Sequence, residues 1–374
     1  MPGCGTIRNE NGKFQNFNRS MYFKIDDKEI SHSNLQHWAS EIIKKDIPEW
    51  IKSIATTITE WYDDSFYITV HTSGSTGNPK PIPLSKKAMS LSAEKTAAYF
   101  KLSDGITALL CLPADFIAGK MMIIRALVNR WNLICIPPRS SLEIPSETSF
   151  QFVAMTPFQF KYTSEGDEFF YRNIETILLG GSPLTPEIKE MIMNISTGCY
   201  LSFGMTETIT HVALMRINGK QKENVFTGVE GVSFSQNQGR LVINANHLDI
   251  ERIETNDIVE IINNKQFRWL GRSDHVINSA GLKIHPEQIE EKIAHLIPFR
   301  FIITGKNDLE VGQQVVLIIE SNKMNNEKLV DLNRSLHELL GIKRPRRILF
   351  VDQLQETTNG KLKRNFKFYF PEST

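Results

Sequence analysis

Residues 65–80 read SFYITVHTSGSTGNPK. The first seven alternate, with Phe66, Ile68 and Val70 on one side and Tyr67, Thr69 and His71 on the other, the period of a strand. The nine that follow carry the hydroxyls of Thr72, Ser73, Ser75 and Thr76, two glycines (Gly74 and Gly77) and a closing Lys80. Glycines let backbone N–H groups turn toward an anion, hydroxyls add donors and a lysine adds charge. A Walker A loop needs a second glycine five residues after the first, directly before a lysine. Gly74 finds Pro79 there and Gly77 finds Ile82, so that loop is excluded. A phosphate-holding loop and a plain Gly/Ser turn both remain open.

Outward from this segment the chain alternates strands and helices. Before it, residues 34–61 have helical spacing, with Leu35, Trp38, Ile42 and Ile43 on one face. After it, PLSKKAMSLSAEKTAAYF starts a helix with Ser85 as N-cap and Met89, Ala93, Ala97 and Phe100 on one face. Strand-like runs follow at 108–112, 132–136, 150–155, 176–180 and 200–203, several separated by helical stretches. This alternation predicts an α/β fold, a largely parallel sheet covered by helices. Ligands on such sheets bind at loops beyond the carboxyl ends of strands, where residues 72–80 and 204–208 fall. From about residue 228 short strands and turns take over, then a small α+β pattern. The chain is expected to divide at GRSD, 271–274, into an N-terminal domain over 21–272 and a mobile C-terminal domain over 273–374. The polar residues 1–20 are expected to be poorly ordered.

Composition narrows the function. With 374 residues there is room for two domains, and a net charge of +1 gives no electrostatic case for nucleic acid or an acidic membrane. Cys4, Cys111, Cys135 and Cys199 are scattered, which fits a reducing cytoplasm rather than a disulfide framework or a zinc site. The apolar run at 116–128 is interrupted by Lys120 and Arg125, so it reads as a packed helix and not a membrane span.

TSGSTGNPK resembles the phosphate-loop motif of the adenylate-forming enzymes, which include acyl- and aryl-CoA synthetases, luciferases and peptide-synthetase adenylation domains. Further stretches resemble that family's motifs in order. They are ILLGGSPL (177–184), FGMTET (203–208), TND (255–257), GRSDHVINSAGLKIHPEQIE (271–290) and TTNGKLKRN (357–365). Each has a plain reading alone: a tight turn, a strand-to-helix turn capped by Thr206, a surface ion pair, a solvated lysine-rich tail. Asn256 stands where the family has glycine, and Glu356 and Thr357 where it has proline and a basic residue.

The resemblance implies roles. Thr72, Ser73, Gly74, Ser75, Thr76, Gly77 and Lys80 would cradle the β- and γ-phosphates of ATP. Gly180, Gly181 and Ser182 would lie against the adenine and the acyl group, with Phe203 stacked on adenine and Gly204 beside it. Thr206 would hold the α-phosphate and Glu207 Mg²⁺. Asp257 and Arg272 would hold the ribose. Asp274 would be the hinge, Gly281 would belong to the loop lining the CoA tunnel, and Lys361 would act in adenylation. The implied reaction joins a carboxylic acid to coenzyme A through an acyl-adenylate. MTPFQF (155–160) and the compact length are similar to o-succinylbenzoate–CoA ligases of menaquinone biosynthesis, which implies an aromatic acid. Phe116 aligns with a gating histidine of many relatives and Gly119 with a glycine. Asp115 lies out of register with the aspartate of amino-acid-activating relatives. Other readings are another aryl- or acyl-CoA synthetase, an acyl-AMP ligase that loads a carrier protein, or a nucleotide-binding protein without catalysis. A homodimer is left open.

Overall fold

The computed structural model describes residues 21–71, 81–167, 169–322, 324–356 and 362–371. Its largest element is a sheet of thirteen strands. One half is parallel, with neighbours in the order Tyr22–Ile25, Asn132–Cys135, Thr107–Leu110, Phe152–Met155, Thr176–Leu179 and Gly198–Gly204. Lys28–Ser31 pairs antiparallel on its outer edge. The other half continues antiparallel through His211–Arg216, Phe226–Gly228, Gln266–Arg272, Ile250–Asn263, Arg240–Ala245 and Ser233–Asn237. The sheet is therefore parallel only on one side of Gly204, where six residues lead into the next strand instead of a crossover helix.

Successive residues of the parallel strands enter different cores. Ala108, Leu110, Phe152, Ala154 and Leu178 face one layer, with Ile54, Met89 and Met122 from covering helices. Leu109, Val153, Met155, Ile177 and Leu179 face the other, with Phe160, Ile188 and Ile192. Burial on both faces is why these strands read as unbroken apolar runs. The antiparallel half curls: Phe203 and Phe267 sit three strands apart, yet their ring centroids are 5.1 Å apart, where three flat strand spacings would span about 14 Å.

The smaller sheet joins Leu282–Ile284, Ile277–Ser279, Gly312–Glu320 and Phe301–Asp308, with Arg347–Val351 parallel to Gly312–Glu320. Helices Pro286–Ile293 and Asn326–Leu340 cover one face through Ile289, Ile293, Leu332 and Leu336. Leu354, Phe366 and Phe370 cover the other. Core residues do not mix across the chain: one set ends at Trp269 and the other begins at Ile277.

Two expectations change. Residues 34–61 form two helices, Leu35–Ile42 and Glu49–Tyr62, because Pro48 excludes its predecessor from helical geometry. The strand before the glycine-rich segment, Tyr67–His71, is not part of the large sheet. It pairs antiparallel with Pro81–Ser85 in a separate ribbon, and residues 72–80 lie between the two in the chain. Ser85 does cap the following helix, accepting from the Ala88 N–H. Cys111, Cys135 and Cys199 are free and buried, and burial pushes the Cys111 and Cys199 thiols up to about 12.

Candidate active site

Three neighbouring parallel strands leave the sheet at the same end: Met155 and Leu179 finish level with each other and with Leu201, and the third strand runs three residues further, to Gly204. Beyond Met155, Thr156 and Gln159 form a capping box, and the buried Gln159 amide donates to the carbonyls of Cys111 (2.8 Å) and Arg139 (3.1 Å). The Pro-x-Gln stretch is thus a structural tie between adjacent loops. Beyond Leu179, a Cβ on Gly180 would lie 2.4 Å from Ser202 Oγ, so a side chain there would displace the hydroxyl that donates to the Leu179 carbonyl at 2.9 Å. Gly181 and Ser182 continue this exit, with Gly181 at φ 92°.

The third exit carries FGMTET. A Cβ on Gly204 would lie 2.3 Å from the Thr210 carbonyl oxygen. Thr206–Thr208 is one turn of 3-10 helix, held by the Met205 N–H donating to Thr208 Oγ1 at 2.9 Å. Ile209 then takes φ 64°, a genuine outlier for a β-branched residue, and the chain turns back into His211–Arg216. Glu207 is exposed and its carboxylate is unengaged among the described residues. The half-buried Phe203 ring packs edge-on against Phe267 and Phe226.

Asp257 and Arg272 sit directly opposite each other on adjacent antiparallel strands. They form no ion pair among the described residues. Arg272 instead forks onto Asp274, Nε to Oδ1 at 2.9 Å and Nη2 to Oδ2 at 3.0 Å, and this carboxylate raises the guanidinium pKa. Asp257 is 7% exposed and accepts from Trp269 Nε1 at 2.8 Å. Burial raises its pKa, against the pull of the indole N–H. Asn256 needs no left-handed geometry: it lies inside Ile250–Asn263, and its carbonyl accepts from the Ser273 N–H at 2.7 Å.

Behind FGMTET lies a feature the sequence reading passed over. Arg125, in the helix Ile117–Val128, is 3% exposed and meets only neutral groups among the described residues. It donates to Thr210 Oγ1 (2.5 Å), Thr96 Oγ1 (3.3 Å) and Met122 Sδ (3.7 Å). Burial lowers its pKa to about 10. His211 lies beside it, 3.4 Å from Thr96 Oγ1, and burial followed by the Arg125 charge holds it well below 6.5. A signal existed: MMIIRALV has no polar face, so a charge within it must be buried.

Other expected residues are dispersed. Gly281 (φ 80°) and Ala280 (φ 49°) form the two-residue turn between Ile277–Ser279 and Leu282–Ile284. Asp115 accepts from Ser53 Oγ at 2.7 Å, and Phe116 is exposed. Thr72, Ser73, Gly74, Ser75, Thr76, Gly77, Lys80 and Lys361 lie outside the described residues. No helix among the described residues is long and apolar enough to cross a membrane.

The family model described as AMP-binding enzyme matches residues 18–247. A 2-succinylbenzoate–CoA ligase of Lactococcus lactis is 24% identical over 323 residues, covering 81% of this chain and 70% of that one. The solved structure of an acyl-CoA synthetase (AMP-forming)/AMP-acid ligase II-like protein from Dyadobacter fermentans is 30% identical with TM-score 0.59, over 90% of this chain and 97% of the other. An o-succinylbenzoate coenzyme A synthetase from Bacillus subtilis, solved with ATP and magnesium, is 18% identical with TM-score 0.65, over 79% and 68%.

Proposed function

We propose, from the premise that the chain belongs to the AMP-binding enzyme family, that it is an ATP-dependent acid–CoA ligase acting through an acyl-adenylate, with 2-succinylbenzoate as the acid. One observation carries the adenylating part. The Gly180–Ser182 and Gly204–Glu207 segments leave adjacent strands of one parallel ladder at the same end, where such sheets bind ligands.

The substrate carboxylate attacks the α-phosphorus of ATP, and pyrophosphate leaves. The CoA thiol, losing its proton, then attacks the acyl carbon, and AMP leaves. In-line transfer at phosphorus asks the protein for positioning and charge neutralisation more than for covalent help. In this reading residues 72–77 cradle the outgoing phosphates, with Lys80 as an accessory. Thr206 donates to the α-phosphate, Gly180, Gly181, Ser182, Phe203 and Gly204 border the adenine, and Asp257 with Arg272 takes the ribose. Glu207, exposed and unengaged among the described residues, is a hard oxygen donor of the kind Mg²⁺ selects; the ion would offset the negative charge of the phosphates. Lys361 bridges the acid and the α-phosphate. Domain 273–374, carrying both Lys361 and the Gly281 loop, turns about Asp274 between the two steps.

Arg125 favours a diacid. A buried guanidinium met, among the described residues, only by hydroxyls and a thioether lacks there the anion that would compensate it. 2-Succinylbenzoate has two carboxylates, one to activate and one to face such a cation. The L. lactis and B. subtilis relatives act on this acid by name. A panel of carboxylic acids with ATP and CoA tests the reading: thioester from 2-succinylbenzoate is expected, and thioester from medium-chain fatty acids alone would overturn it. Lys361→Ala should lower adenylation about 10²–10³-fold while sparing thioester formation from supplied acyl-AMP. Equal loss in both steps, with folding intact, removes Lys361 from its role.

A further inference from the structure

The strands Ile250–Asn263 and Gln266–Arg272 are out of step by one residue. Asp257 opposes Arg272 and Ile258 opposes Gly271, but Val259 opposes Trp269, leaving Leu270 as a bulge. In an unbroken ladder Trp269 would oppose Glu260 and point away from the face that carries Asp257. The bulge moves it onto that face. Glycine is required at the slip, because Gly271 has φ 144° and a Cβ there would lie 2.4 Å from Glu287 Oε2.

The result is an uncommon cross-strand pair. Opposite charges facing each other across a ladder ordinarily attract. Here Arg272 is drawn onto Asp274, and Asp257 is held through Oδ1 by the indole N–H. An indole donates one hydrogen bond and carries no charge, so it can orient a carboxylate without neutralising it. A guanidinium at 2.8 Å would occupy both oxygens and take the acceptor out of use.

We propose that Trp269 is a positioning residue for ATP. Its N–H fixes the Asp257 carboxylate in the orientation that accepts from the ribose hydroxyls and keeps it off Arg272. This rests on the reading of Asp257 as the ribose acceptor, so the test separates the two. Trp269→Phe keeps an aromatic ring and removes the N–H. It should raise KM for ATP about tenfold, with the loss falling on KM rather than kcat. It should also shrink the preference for ATP over 2′-deoxy-ATP and 3′-deoxy-ATP. Asp257→Asn should do the same, and the double variant should add little, as expected for two groups acting as a unit.

A normal KM and ribose preference in Trp269→Phe, with both altered in Asp257→Asn, would show that Trp269 only packs. If Asp257→Asn changes neither, Asp257 is not the ribose acceptor, and the proposal falls with that reading. A measurement on the unmodified protein covers the case in which a variant folds poorly. Among the indole ¹H–¹⁵N signals of the five tryptophans, that of Trp269 should shift when ATP is added. An unmoved signal at saturating ATP would overturn the assignment.

Discussion

The molecule treats two arginines, Arg125 buried and Arg364 partly buried, in opposite ways. Arg364, in the smaller sheet's domain, places both terminal nitrogens on Glu290, one at 2.8 Å, and Glu290 also accepts from the Ile303 N–H. Burial works against its charge, but the carboxylate more than offsets this and its pKa is raised. Arg125 is more deeply buried, meets no carboxylate among the described residues, and has a depressed pKa. A cation with its counter-ion built in is a fastener between a helix and the chain's end. A cation met among the described residues by hydroxyls and a thioether is kept charged at a cost, which under the proposed function a substrate carboxylate would offset.

The contrast can be broken at its strongest point first. Arg364→Met leaves the partly buried Glu290 without its partner and should cost about 3 kcal/mol of stability, read from urea denaturation. Arg125→Met removes an uncompensated charge, so its denaturation midpoint should stay or rise. Its KM for 2-succinylbenzoate should instead increase about 10–100-fold, the worth of hydrogen bonds to a charged group, while a monocarboxylic analogue is unaffected. Should the two variants exchange behaviours, the distinction between fastener and receptor is wrong.

A smaller effect sharpens the Arg125 side. His211 resists protonation in the folded protein through burial and the neighbouring guanidinium. The unfolded chain takes up that proton near 6.5, so stability contributed above this pH is lost as pH falls below it. The slope from one such proton is at most about 1.4 kcal/mol per pH unit. His211→Gln should flatten the acid-side loss between pH 6.5 and 5, and Arg125→Met should flatten it partly. An unchanged slope in both would exclude the pair as its source.

Much of this was legible in the sequence, for identifiable reasons. The parallel strands are buried on both faces, so runs such as ALLCL and TILLG stood out without helical spacing. The Gly180 and Gly204 exits were visible through the family resemblance; at Gly204 the physical reason is the Thr210 carbonyl, which leaves no room for a Cβ. The ribbon strand Pro81–Ser85 was hidden because its two prolines read as loop; a two-stranded ribbon leaves an unpaired side on which proline is tolerated. Sheet direction beyond Gly204 is not carried by periodicity, only by the short link to His211. Arg125 was read as an interruption in an apolar run rather than as a cation the run encloses. Trp269 could not be placed from sequence, since a one-residue slip decides its face. The compact length also looked like a trait of o-succinylbenzoate–CoA ligases, yet the chain spans 70% of the Lactococcus ligase and 97% of the Dyadobacter protein.

The buried cysteines open a practical route to the proposed rotation. Cys111, Cys135 and Cys199 are enclosed, and their thiols are held protonated at neutral pH. Thiolate-seeking dyes should therefore leave them unmodified in the folded protein. With Cys4 exchanged for serine, a pair of cysteines introduced at exposed sites such as Leu309 and Phe66 would be the reactive ones. Fluorescence transfer between two attached dyes could then follow residues 273–374 through each half of a turnover.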